Sequence, residues 1–356
     1  MRSVRVAFIG AMAILIVLTL AQTFVPFLPV APLQEYRKPV PPPDVLGTIM
    51  NGDGRLASGI NAWFDDQVGF RSILTRAANE IDYSLFGYSK KILIGNDGWL
   101  FDRNLLRVAI DQARSGNDVD VEIRRLDEVA AFLNRRNIRL IIISTSAKET
   151  FYADLLPAHS PRLPTITKLQ KYRTALKERD GRDWLYIDSD DILKATRPDE
   201  PAAYFRTDPH LTAFSNYLVA KALLDKIASM EGTDWRWNPD LQLFPEKVDY
   251  GSDLRFLSVF SDVSEFALFP KLEAHYSPDR PPPGEFFVKP PPPPFELFFH
   301  NRRVEAKLPS TVLFGSSFLD WFVTLGAFSN FRDVYRMRGT SNAIGVALQA
   351  VARQSG

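Results

Sequence analysis

Residues 6–21 carry no charged and no strongly polar side chain, and the run continues apolar past Gln22 to Pro32. A helix needs about 20 apolar residues to cross the hydrocarbon core of a bilayer, so this run is long enough to span one. Arg2 and Arg5 precede it, which favours an N-terminus held in the cytoplasm and the bulk of the chain outside it. A cleaved secretory signal is the other reading; its apolar core stops at about 7–15 residues and is followed by an Ala-x-Ala-like site. No clear site of that kind follows, so the run reads as an uncleaved anchor. Beyond residue 32 no other segment reaches spanning length. The expected organisation is an anchor or signal over 1–32, a proline-rich linker over 33–54 holding Pro39-Val40-Pro41-Pro42-Pro43, and one domain over 55–356.

The 356 residues are 46% hydrophobic and 24% charged, enough to bury a sizeable core. Forty-three Lys and Arg against forty-two Asp and Glu leave a charge of +1, so no global basic field exists to hold a polyanion, and nucleic acid is not an expected partner. With no cysteine, the chain can form no disulfide, thiolate metal site or thiol nucleophile. There are four histidines, of which His159, His275 and His300 fall in no metal-ligand spacing and read as surface or packing residues.

After the linker, Ile73, Leu74, Ala77, Ala78, Ile81 and Leu85 keep the spacing of an amphipathic helix, expected to pack on the main core. Residues 91–101 read as two short strands around Asn96-Asp97-Gly98, which suits a tight hairpin. From residue 120 helix and strand alternate. Leu126, Val129, Ala130 and Leu133 mark a helical face, 138–143 a buried strand, Ile166, Leu169 and Leu176 a second helix, and 184–188 and 311–314 further strands. Such alternation argues for an α/β fold with a parallel sheet and helices on both faces, whose ligands bind beyond the C-terminal ends of the strands.

Two loops at such places carry chemistry. In Tyr204-Phe205-Arg206-Thr207-Asp208-Pro209-His210-Leu211-Thr212, the Asp and His stand two apart, so a carboxylate can fix the imidazole tautomer and leave the other nitrogen as a base. In Gly315-Ser316-Ser317-Phe318, a serine at a strand-to-helix turn points its hydroxyl outward while the N–H groups of the turn can receive an oxyanion. Taken singly, the first pair is also a capping or surface pair and the second also a helix N-cap.

Together with Trp63-Phe64-Asp65-Asp66, Gly69-Phe70-Arg71, residues 94–101 and Lys148-Glu149-Thr150-Phe151-Tyr152, and in this order, these loops give the chain from about residue 55 onward a resemblance. It resembles the AlgX/AlgJ-type branch of the SGNH hydrolase-like superfamily, the membrane-bound or periplasmic O-acetyltransferases of bacterial exopolysaccharides such as alginate. In that branch Asp and His precede Ser along the chain, as here.

The resemblance implies an SGNH hydrolase-like (flavodoxin-like) sheet preceded by a transmembrane helix. It also implies a triad of Ser317 as nucleophile, His210 as base and then acid, and Asp208 as its orienting group. It implies a polysaccharide substrate, the bacterial inner membrane with the domain in the periplasm, and a multi-pass acyltransferase of the MBOAT type or other exopolysaccharide machinery as partner. No cofactor or metal is implied.

Lys148 and Arg338, each at a strand end, are candidates to bind an acidic sugar, and Asn342 is a candidate oxyanion donor. Leu211 stands where the family usually has an aromatic residue. The stretch near 277–296, with Pro281–283 and Pro290–294, reads as an exposed polyproline II excursion. A catalytically inactive polysaccharide-binding or assembly subunit, and a simple acetyl esterase, are the alternative functions.

Overall fold

The computed structural model describes residues 2–338 except 26, 30–32, 34–38, 52–55, 115–118, 183, 196–201, 238–241, 250, 272–285, 290–296 and 302–307. The chain forms two compact units, one of residues 1–94 with 249–263 and the other of residues 95–248 with 264–356. Residues 56–94, expected to belong to the main domain, therefore fall in the unit that contains the N-terminal helix.

In the first unit Val4–Phe24 is long and apolar enough to cross a membrane, and its apolar side chains up to Leu18 are exposed, while Gln22 near its end is buried. Leu56–Gln67 and Arg71–Phe86 are helices, and the second realises the amphipathic spacing read at residues 73–85. Its packing is the reverse of that expected. No residue of this helix is buried, and Leu74, Ile81 and Leu85 are 64%, 53% and 72% exposed.

The polar side of the helix makes the attachment. The Asn79 side-chain amide donates to the carbonyls of Leu257 and Ser258 at 3.2 and 3.3 Å, and Glu80 accepts the N–H groups of Phe260 and Ser261 at 2.8 and 2.9 Å. Hydrogen bonds from the Ser261 and Ser84 hydroxyls, with those N–H groups, lower the Glu80 pKa from 4.5 to about 2. A depressed carboxyl gives stability that is full above the unfolded value and is lost as pH falls through the folded one. Hydrogen-exchange protection of the Phe260 and Ser261 amides should therefore persist down to pH 4.5 and vanish toward pH 2. Glu80→Ala, which removes the acceptor, should lose that protection at every pH; retained protection in the variant would contradict the clamp.

In the second unit Ile141–Ser144 runs parallel to Leu185–Asp188, with Ile142 opposite Tyr186 and Ile143 opposite Ile187. The side chains alternate between faces. Ile142 and Tyr186 pack with Ile123, Leu126 and Ala130 of helix Val119–Asn134 and with Leu176 of helix Lys168–Lys177. Ile141 and Ile187 pack on the other face, with Tyr217, Leu224 and Ile227 of helix Ala213–Met230. This is the two-sided burial that a parallel pair requires. Thr167 starts helix Lys168–Lys177 with a capping box to Gln170, which places Ile166 outside the helix and 59% exposed.

A second parallel pair joins Thr311–Gly315 to Asp333–Arg338, with Val334 opposite Thr311 and Arg338 opposite Gly315. The sheet then departs from the all-parallel expectation. Leu297–Asn301 pairs antiparallel with Asp333–Arg338, Phe286–Lys289 pairs antiparallel with Leu297–Asn301, and Gln242–Val248 pairs antiparallel with Glu265–Lys271. Phe286–Lys289 lies inside the stretch read as polyproline II; Phe286-Phe287-Val288 is a β-forming run, and it occupies an edge of its sheet, where neighbouring prolines are tolerated. The prolines at 281–283 and 290–294 lie outside the described residues.

Candidate active site

Strand Thr311–Gly315 runs into helix Phe318–Thr324, with Ser316 and Ser317 between them. The turn is tight. A side chain at Gly315 would come within 3.1 Å of Leu319. The N–H groups of Leu319 and Asp320 are used by the carbonyls of Ser316 and Ser317 at 3.1 and 3.0 Å, so the donors that the turn offers are those of Ser317 and Phe318. Asp320 is salt-bridged to Arg336, a 2%-exposed guanidinium in the adjacent strand, which ties the short helix to the sheet.

The second loop is closed on itself. Phe205 donates its N–H to the His210 carbonyl at 3.2 Å, Thr212 donates to the Ala203 carbonyl at 3.0 Å, and Tyr204 bridges Leu211. Leu211, where an aromatic residue was expected, is buried and pins the loop's end to the core. Asp208 Oδ1 accepts the backbone N–H of His210 at 2.9 Å and lies 2.5 Å from His210 Nδ1. His210 Nε2 lies 2.8 Å from Ser317 Oγ. The loop brings together three side chains, two of them separated by 107 positions in sequence. The Phe318 ring leans against the imidazole, centroids 5.3 Å apart, and the His210 side chain is 33% exposed.

A buried cation and a buried anion hold the backbone just ahead of Asp208. Lys148 Nζ donates to the carbonyls of Phe205, Arg206 and Asp208 at 3.4, 3.4 and 3.0 Å and lies 5.5 Å from the Phe101 ring centroid. Glu265 accepts the N–H groups of Arg206 and Thr207 at 2.8 and 2.7 Å and the Thr207 hydroxyl at 2.6 Å. Opposite charges thus take up the carbonyls and the N–H groups of a single stretch of backbone.

Beneath lies a polar network. Tyr204 donates its hydroxyl to the Ser146 carbonyl at 2.5 Å, the Ser146 hydroxyl reaches Asp190 at 2.7 Å, and Arg173 pairs with Asp190 at 2.5 Å and Asp188 at 3.3 Å. Burial alone would raise the Asp190 carboxyl, but Arg173 and Ser146 outweigh it and hold the group below its usual value. Burial drives the neighbouring Glu149 the other way, up from its usual value; one of its oxygens accepts the Asp102 N–H at 3.1 Å.

Lys148, a candidate sugar contact from sequence, is 0% exposed, and its ammonium is engaged by loop carbonyls, so it is placed to hold the loop rather than a ligand in solvent. The backbone of Arg338 stands opposite Gly315, two residues before Ser317, at the end of its strand. Asn342 lies outside the described residues. Glu265 was missed, although a signal existed. In Glu265-Phe266-Ala267-Leu268-Phe269 the period of two puts the carboxylate on the same buried face as Ala267 and Phe269, with Phe266 exposed.

Residues 92–237, which contain Lys148, Asp208 and His210 but not Ser317, match the family model described as SGNH hydrolase-like domain, acetyltransferase AlgX. A probable alginate O-acetylase AlgJ of Azotobacter vinelandii is 22% identical over 178 residues, 49% of this chain and 44% of that protein, so the chain matches less than half the relative's length. Among solved structures, the O-acetyltransferase domain of Pseudomonas putida AlgJ is similar at a TM-score of 0.44 and 16% identity, covering 74% of this chain and 86% of that one. Bacillus cereus PatB1 is similar at a TM-score of 0.44 and 12% identity, covering 69% and 87%. Over residues 92–237 the chain is therefore similar to the SGNH hydrolase-like domains of the AlgX/AlgJ type.

Proposed function

We propose that this protein is a membrane-anchored, extracytoplasmic O-acetyltransferase that acetylates a bacterial exopolysaccharide through an acetyl ester on Ser317. The observation that carries the reading is the imidazole of His210 lying within hydrogen-bonding distance of both a carboxylate, 2.5 Å, and a serine hydroxyl, 2.8 Å. Asp208 accepting from Nδ1–H leaves Nε2 as the acceptor of the Ser317 proton.

In the first half-reaction Ser317 Oγ attacks the acetyl carbonyl carbon of the donor as its proton passes to Nε2. The negative oxygen is received by the N–H groups of Ser317 and Phe318. The donor's acyl bond then breaks, and its leaving group takes the proton from the imidazolium. In the second half-reaction a sugar hydroxyl gives its proton to Nε2 and attacks the acetyl carbon; Ser317 Oγ departs and recovers a proton from His210. Trp321, one turn beyond Ser317, lines an apolar hollow of about 300 Å³ with Phe244, Phe269 and Leu325, a surface on which the C–H face of a sugar ring can stack.

The helix at Val4–Phe24 supports single-pass anchoring in the inner membrane with the domain in the periplasm. Acetyl groups made in the cytoplasm must then cross the bilayer, and a multi-pass acyltransferase of the MBOAT type fits that step. A partly exposed His210 also favours a second reading, hydrolysis of acetyl esters, because water can reach the acyl-serine.

Brief incubation of the full chain with p-nitrophenyl acetate, followed by acid quench and peptide mass analysis, should find one acetyl group on the peptide containing Ser317 and none in Ser317→Ala. Equal acetylation of both would overturn the reading. Acetylated oligosaccharide formed on adding a polysaccharide acceptor separates transfer from hydrolysis.

A further inference from the structure

Helix Arg71–Phe86 holds its own unit by its polar side, through Asn79 and Glu80, and turns its apolar side outward. Leu74, Ala78, Ile81 and Leu85, spaced four, three and four apart, form one exposed stripe along a helix about 24 Å long. The helix cannot roll to bury this stripe on its unit without breaking the bonds of Asn79 to residues 257–258 and of Glu80 to residues 260–261. Among the described residues of its unit nothing covers the stripe, so a partner must, since an exposed apolar stripe of this length is costly in water.

The same unit shows what that is. The helix starts where the membrane-spanning candidate ends: Gly69 donates its N–H to Thr23 Oγ1 at 2.7 Å in the last turn of Arg2–Phe24. The rings of Phe27 and Phe70 meet edge to face at 6.0 Å, and Phe24 lies 6.2 Å from Trp63 in the preceding helix. Phe24, Phe27, Trp63 and Phe70 form an aromatic group at the end of the span, and Trp63 among them is of the residue type that settles at a membrane–water boundary. The short helix Val45–Met50 adds Leu46, Ile49 and Met50 to the exposed apolar surface of this unit.

We propose that the Leu74, Ala78, Ile81 and Leu85 face of helix Arg71–Phe86 lies in the lipid surface, as an in-plane amphipathic helix continuous with the anchor. The proposal rests on the reading of Val4–Phe24 as a membrane span. The span alone is a single tether about which a soluble unit can swivel; a helix in the interface plane fixes how this unit meets the bilayer.

The chain has no cysteine, so single substitutions accept a probe at one site only. Ile14→Cys, Ile81→Cys, Leu85→Cys and, on the opposite side of the helix, Tyr83→Cys are labelled with an environment-sensitive fluorophore in the full chain. Each is placed in phosphatidylglycerol–phosphatidylcholine nanodiscs with shallow or deep spin-labelled lipid, or with aqueous iodide. The expected result is deep-lipid quenching at residue 14, shallow-lipid quenching at 81 and 85 at about 5–10 Å into the interface, protection of both from iodide, and no lipid quenching at 83.

Iodide quenching without lipid quenching at 81 and 85, with residue 14 still quenched by lipid, would overturn the proposal and leave the span standing. Iodide reaching residue 14 would overturn the span itself. Residues 81 and 85 shielded from both quenchers would mean that a second copy or another protein covers the face, which also overturns the lipid assignment.

Discussion

Ser317→Ala and His210→Ala should each lower kcat for acetyl-ester turnover about 10^4-fold or more, and the double variant should be no slower than either single one. The equality follows from geometry. In the proposed reaction His210 Nε2 has one function, to take and return the Ser317 proton across 2.8 Å, and without the hydroxyl there is no proton for it to move. What remains in all three variants is binding and the donors of the turn, which still polarise a bound ester toward attack by water. Asp208→Asn should fall in the same range with the fold intact, because an amide can present its N–H to Nδ1 and so favour the tautomer whose Nε2 carries the proton. Steady-state rates with thermal melting curves for all four variants make the check. Multiplicative losses in the double variant would mean that the two side chains act in separate steps, and unchanged rates would remove acyl chemistry from this site.

The three side chains were legible because each announces itself locally. Asp-Pro-His compresses carboxylate and imidazole into one turn, and Gly-Ser-Ser-Phe after an apolar strand marks a strand-to-helix corner. Periodicity likewise gave helix Val119–Asn134 and the apolar strands Ile141–Ser144 and Leu185–Asp188, since a sheet covered on both faces leaves few polar positions to confuse the pattern. What could not be read was who covers whom. The spacing of Leu74, Ile81 and Leu85 shows that a stripe exists, but the partner of a stripe is not written in its period, and here the polar side faces the protein. Strand direction was hidden for the same reason: nothing in Leu297–Asn301 or Glu265–Lys271 distinguishes an antiparallel neighbour from a parallel one. Lys148 was read as a candidate sugar contact because a lysine at a strand end is ordinarily solvated, whereas here its ammonium is buried. Its three acceptors lie 57 to 60 positions onward, and only the fold brings them under its ammonium.

That burial sets the second large effect. Lys148→Met preserves the length of the side chain and removes its donors, so the carbonyls of Phe205, Arg206 and Asp208 each lose a buried partner, at a cost of about 3 kcal/mol or more. The loop then loses one side of its grip while Glu265 still holds the N–H groups of Arg206 and Thr207. A shift of about 1 Å in Asp208 is enough to lose about 10^2-fold in rate, so kcat should fall by that order in protein that remains folded. KM for a small ester should not move, because the ammonium faces backbone and not the site's open side. Glu265→Gln should give the same pattern more weakly, since the carboxamide keeps one acceptor oxygen and loses the charge. Here the split between kcat and KM is decisive. A lysine that held an acidic sugar would, when replaced, raise KM for the polysaccharide and leave turnover of the small ester unchanged, whereas a lysine that holds the Asp208 loop slows both substrates alike. Rates with p-nitrophenyl acetate and with a polysaccharide acceptor, measured at a temperature where melting shows both variants folded, separate these two roles. A Lys148→Met variant with wild-type kcat on the small ester would show that Glu265 and the Leu211 anchor suffice to position the triad.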